Sequence, residues 1–236
     1  MRKSTLTKVG LQRLAAVFLL ILSAAVASGD EIEITVDDTG WYDDTGFHDP
    51  TNDNYIAGLC SDCGGEVFRN FFVFDLTDLP TVVSAELEVY TFTVETSGRY
   101  TLYEVTTDIP TLRLGGIGRT DIYADLGDGP IFGVYDFLAT EDGIRVRIPL
   151  SAAAVSAINS AEDIAFGGAY DSPQSVFFGS TGAFPAELIL TVVPEPASIV
   201  LVALMTTCLG LRRHGRRNVG VNISRVLRNG QAPFSS

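Results

Sequence analysis

Lysine is nearly missing from this sequence. The 236 residues hold only Lys3 and Lys8, and residues 30–193 have none; the cations there are six arginines, set against 28 Asp and Glu. An excess of 22 negative charges over that span repels nucleic acid and anionic lipid headgroups and attracts divalent cations, so no nucleic-acid partner is expected. Histidine is as scarce: His48 stands alone in the span, with His214 far downstream, so any histidine-dependent triad must use His48. No G-x-S-x-G, H-E-x-x-H or phosphate-loop pattern occurs, which removes the usual local signatures of hydrolases, zinc proteases and nucleotide enzymes. Gly115-Gly116-Ile117-Gly118 reads as a loop, because no helix is predicted after it and Asp121 and Asp125 stand beside it. Carboxylate pairs that suit glycoside hydrolysis arise by chance among so many acids. Ice binding needs a flat threonine array, and Thr91-Phe92-Thr93 is one isolated pair. The expectation is a non-catalytic protein, with an enzyme acting on extracellular polysaccharide as the alternative.

The basic residues that are present stand mainly at the two ends. Arg2, Lys3, Lys8 and Arg13 precede the apolar run Leu14 to Leu22, and Ala25-Val26-Ala27-Ser28-Gly29 follows. A charged start, a short apolar middle and an A-x-A-like end predict a signal peptide over residues 1–29, cut by signal peptidase near Ala27 after passage through the export machinery. The alternative is an uncleaved anchor, for which the run is short of the roughly 20 residues a span needs. A second uncharged stretch, residues 197–211, is followed at once by Arg212, Arg213, Arg216 and Arg217. As a helix it reaches about 22 Å, less than a bilayer core of about 30 Å. Pro194 and Pro196 block its extension upstream, and the arginines hold its far end on the cytoplasmic side. A weak stop-transfer helix is predicted.

Pro194-Glu195-Pro196, a short apolar helix and an arginine cluster, in that order, resemble the PEP-CTERM sorting signal of bacterial exported proteins, here residues 194–217. The resemblance implies an exosortase-type membrane protease-transpeptidase as partner. It also implies delivery to the membrane or cell surface, with release to the extracellular matrix after processing. The chain departs from the family by running on through residues 218–236, read as a cytoplasmic or removed tail.

Between the ends, residues 30–193 read as one acidic ectodomain, long enough for one sizeable core. Apolar and polar residues alternate in 83–90, 143–148 and 186–192, the mark of half-buried strands. Phe71-Phe72-Val73-Phe74 is continuously apolar, as for a strand covered on both faces. Further strands are expected at 32–36, 100–105, 131–137, 164–169 and 176–179, with one short helix at 152–158 capped by Ser151. Many short strands punctuated by Gly, Asp and Pro predict an all-β sandwich or jelly roll. Arg69-Asn70-Phe71-Phe72-Val73-Phe74-Asp75-Leu76, then Leu79-Pro80 and Val83-Ser84-Ala85-Glu86-Leu87, resemble a strand pair of secreted carbohydrate-binding-like sandwich modules. That resemblance implies an adhesive or structural role, with polysaccharide as partner and, in some members, calcium; it carries over no sugar-contacting residue.

Two clusters stand out within the ectodomain. Asp37 to Asn54 contains the echo Asp37-Asp38-Thr39-Gly40-Trp41-Tyr42 and Asp43-Asp44-Thr45-Gly46-Phe47-His48. Clustered carboxylates on a glycine-containing loop suit calcium, with Asp43, Asp44, Asp49 and Asp53 as candidate ligands; a solvated acidic loop is the alternative. Trp41 and Tyr42 suit either a sugar ring or packing at a strand edge. Cys60-Ser61-Asp62-Cys63 lacks the further ligands zinc requires and the βαβ setting of a redox site, so a local disulfide between Cys60 and Cys63 is expected.

Overall fold

Residues 29–172, 176–177, 179 and 182–193 are described by the computed structural model. The signal peptide proper, the sorting signal Pro194, Glu195 and Pro196, the 197–211 stretch, the arginine cluster and the tail lie outside the described residues. Among the described residues no helix is long and apolar enough to cross a membrane.

Two antiparallel sheets face each other. The first is ordered β1 (Asp30–Thr35), β11 (Glu187–Val192), β5 (Val82–Tyr90) and β8 (Arg145–Pro149). The second runs β10 (Val176–Phe177), β3 (Ala57–Cys60), β4 (Glu66–Asp75), β9 (Asp163–Asp171), β6 (Gly98–Glu104) and β7 (Ile131–Phe137), with β2 (Asp38–Asp43) also paired to β4. This is the predicted all-β sandwich. Alternation decides the inner face: Ala85, Leu87 and Val89 of β5 and Val146 and Ile148 of β8 point inward to Phe72 and Phe74 of β4 and Phe166 of β9. Each of these side chains larger than alanine, taken out of water, contributes about 1.5–3 kcal/mol before entropy is charged against it.

The helices explain why β4 is apolar on both faces. Besides the predicted helix, here α3 (Ala152–Ile158), the structure has two short ones, α1 (Ile109–Leu112) and α2 (Thr120–Asp125). Leu112 of α1, with Ile122 of α2 and Leu126 just beyond it, covers Phe71, Val73, Tyr42 and Ala165 on the outer face of the larger sheet, forming a second core. A Cβ at Gly167 would sit 2.7 Å from the Leu126 backbone, so glycine there lets this layer lie directly on β9. α3 instead plugs one end of the main core with Ala154 and Ile158. Ser151 caps it as expected, its hydroxyl accepting from Ala154 N. At its other end the Asn159 side chain exchanges two hydrogen bonds with the Val82 backbone, each 2.9 Å. Beside it, Val193 N donates to Thr81 O at 3.0 Å, where the described domain ends.

Candidate functional site

The acidic segment Asp37 to Asn54 is strand over Asp38–Asp43 and turn or loop beyond it. Its first copy of Asp-Asp-Thr-Gly enters β2, where Gly40 sits against the Phe71 ring; a Cβ there would lie 2.6 Å from it. The second copy makes a turn, because Asp43 folds back on the chain. Its Oδ1 accepts from Thr45 N (2.9 Å), Thr45 Oγ1 (2.7 Å) and Phe47 N (2.9 Å). Gly46 adopts φ 77°, a left-handed conformation that favours glycine, and gives its carbonyl to Arg119 N at 2.9 Å. His48 exchanges backbone hydrogen bonds with Gly116. The glycine stretch 115–118 is therefore a clasp for this turn, and helix α2 does follow it, contrary to the sequence expectation.

The other residues singled out here are occupied in the same structural way. The Arg113 guanidinium bridges the Asp37 and Asp38 carboxylates. Burial pushes the Asp38 pKa up, against the lowering pull of Arg113. Asp49 Oδ1 accepts from Thr51 N and Oγ1, which hold its pKa down. Asp44 and Asp53 are exposed. Among the described residues no three His, Cys, Asp or Glu side chains are grouped to hold a metal ion, so the structure does not bring Asp43, Asp44, Asp49 and Asp53 together as ligands. Tyr42 is fully buried and donates to the Leu112 carbonyl at 2.9 Å. Trp41 packs edge-on to Phe68 at 5.1 Å. His48 is buried between Tyr42 and Phe71, its Nδ1 donating to the Trp41 carbonyl at 2.9 Å, and burial lowers its pKa. A ring so enclosed packs against Tyr42 and Phe71 of the second core. Cys60 and Cys63 form a disulfide across a 3-10 turn, with Cα atoms 5.2 Å apart.

A groove at one end of the sandwich went unnoticed in the sequence. It has a volume of about 440 Å³ and lies between the β6–α1 connection, the start of β7 and the α3–β9 connection. Its apolar surface comes from the half-buried Val105, Ile109, Ala157 and Ala161, set over the buried Phe132, Ile164 and Ala165, and its polar lining residues are Glu104, Thr107, Asp108, Ser160 and Asp163. Glu104 on β6 is in register with Phe166 of β9. Asp163 lies three residues further along β9, about 10 Å from Phe166 at the rise of a strand, and this odd step sets it on the sheet face of Ala165 while Glu104 shares the face of Phe166. The proton of Thr107 Oγ1 goes to Asp125 Oδ2 (2.7 Å) and that of Ser160 Oγ to Ser156 O (2.8 Å). Asp108 Oδ2 accepts from Thr111 N at 3.0 Å, capping α1. The sequence signal for this site is slight: its polar residues come from two stretches, 104–108 and 160–163, and show no motif.

No family model and no curated protein matches the sequence. Among solved structures, the chain is similar to the carbohydrate binding module CBM6cm-2 from Cellvibrio mixtus lichenase 5A, in complex with cellotriose. The two are 14% identical, the match covers 68% of this chain and 97% of that one, and the TM-score is 0.30. At that level the likeness assigns neither family nor ligand.

Proposed function

We propose that the described domain is a non-catalytic module that binds an extracellular glycan in the end groove. We further propose that it is exported by its signal peptide and held at the cell surface through the Pro194-Glu195-Pro196 tail. The groove carries this reading: it joins apolar surface, which suits the C–H face of a sugar ring, to polar side chains that fix orientation, the usual make-up of a small-ligand site. The burial of His48, the domain's lone histidine, agrees with a role that needs no histidine base.

The ligand is tested by calorimetry and affinity electrophoresis on a glycan panel. Binding of at least one glycan, weakened by Glu104→Gln with Asp163→Asn and unaccompanied by product release, is the expected result. Turnover abolished by either substitution would convert the module into a hydrolase. The address is tested by deleting residues 194–236, which should release the protein into the medium; unchanged membrane association of the deletion would refute the sorting role.

A further inference from the structure

The polar side chains that line the groove are one-sided in their hydrogen bonding. All five polar side chains lining it offer acceptors. Glu104 and Asp163 are carboxylates with no partner among the described residues. Asp108 is a third carboxylate, with one oxygen engaged by Thr111 N. Thr107 and Ser160 have each committed their hydroxyl proton elsewhere, to Asp125 and to Ser156 O, and so present only lone pairs. A ligand group that both donates and accepts, such as a hydroxyl or an acetamide, uses such a site partly; a carboxylate or sulfate meets only repulsion. A protonated amine has three donors and no acceptor, and satisfies it fully.

The charge balance points the same way. Each of the domain's six arginines already has a partner. Arg69 lies over the Tyr123 ring and donates to the Tyr123 carbonyl. Arg99 pairs with Asp136, Arg113 with Asp37 and Asp38, and Arg119 with Asp121. Arg145 and Arg147 share Glu88 and reach neighbouring glutamates of the smaller sheet. No arginine lines the groove. We infer that the groove selects an amine-bearing glycan, a polymer with free glucosamine-type amino groups, over neutral, N-acetylated or acidic glycans. Its apolar part, with the half-buried Val105 and Ile109, faces the ring carbons, while the carboxylates take the ammonium groups. This inference rests on the glycan reading above and narrows it.

The test is titration of the purified protein with a glucosamine oligomer, its N-acetylated counterpart, a glucose oligomer of equal length and a uronate oligomer. The free-amine oligomer should bind at least about tenfold more tightly than the others, since charge-assisted hydrogen bonds are about twice as strong as neutral ones. That advantage should shrink as salt is raised. Glu104→Gln with Asp163→Asn should remove it. Glu33→Gln with Glu66→Gln, exposed acids outside the groove, makes the same change in net charge and should leave it intact. Both pairs of substitutions are near-isosteric, and an unchanged Tm confirms that each variant is folded. Equal or tighter binding of the neutral or acetylated oligomer, lost in the groove variant, would overturn the amine selectivity and leave the glycan reading standing. Equal losses in both variants would reduce the effect to diffuse attraction of a polycation and overturn the site. A lysine-rich peptide binding as tightly as the oligomer, with the same loss, would replace the glycan by a cationic peptide. Binding of no oligomer at all would end both readings.

Discussion

Asn70 shows what a single polar residue does inside this sandwich. It is fully buried, its Oδ1 accepts from Tyr100 Oη at 2.7 Å, and its amide donates to the Tyr55 carbonyl at 3.4 Å. Burial raises the Tyr100 pKa and raises that of Tyr55 to about 12, so both hydroxyls stay protonated. Gly168 makes the room, since a Cβ there would lie 1.9 Å from the Tyr100 oxygen. Asn70→Ala leaves a buried hydroxyl without its acceptor and should cost about 1–3 kcal/mol, measured by urea unfolding. Adding Tyr100→Phe should recover about 1 kcal/mol, because the orphaned group is then gone; a double variant weaker than Asn70→Ala would refute that account. His48 makes a pH prediction. Its folded pKa lies below the ordinary 6.5 because of burial, so below 6.5 the unfolded chain binds the proton more readily. Stability from this residue is complete above 6.5 and is lost as pH falls. Tm should therefore decline between about pH 7 and about pH 5, and the slope should flatten in His48→Gln. An unchanged slope would place the sensitivity elsewhere.

At the scale of elements, Asp125 ties the outer layer together. Its two oxygens accept from the backbone and hydroxyl of both Thr106 and Thr107, joining the end of α2 to the connection that leads to α1. Burial alone would raise its pKa, and the hydrogen bonds together hold it below the ordinary value. Asp125→Ala should cost about 1–2 kcal/mol. In hydrogen exchange it should deprotect the Thr106 and Thr107 amides while β4 and β9 stay protected; uniform deprotection would show that the layer does not open separately. The sequence made the alternating strands legible, and β7 and α3 fall on the predicted positions. Phe71 to Phe74 also announced a strand covered on both faces, although nothing in the pattern named its cover. The helices α1 and α2 have four and six residues, too short for a helical period to show, and their support comes from packing on Phe71 and Val73. β2 was missed because its flanking acids suggested a loop, and the identical tetrapeptides gave no hint that one copy would be strand and the other turn. The side-chain acceptors of Asp43 make that difference, and they depend on where the following residues can go. The groove was illegible for another reason: its walls meet only once the sandwich is assembled.

At the largest scale, the excess of 22 negative charges over residues 30–193, with five of the six arginines there already paired to acids, leaves many acids facing solvent. Self-repulsion of this kind opposes the compact state and is screened by salt, at a Debye length of about 10 Å in 0.1 M electrolyte. Added sodium chloride should raise Tm. Calcium and magnesium at equal millimolar concentration should raise it alike, as screening ions, given that Asp43, Asp44, Asp49 and Asp53 are not gathered. A rise specific to calcium and weakened by Asp43→Asn with Asp44→Asn would establish a calcium site there instead. One feature at the end of the sandwich acquires a mechanical meaning if the proposed anchoring and binding both hold. The chain leaves the domain at Val193, bonded to Thr81, while the adjacent Val82 is bonded to Asn159, next to Ser160 of the groove. Tension between a captured polymer and the tether would then pass through these few neighbouring residues, and the far end of the sandwich would stay slack while the module is pulled.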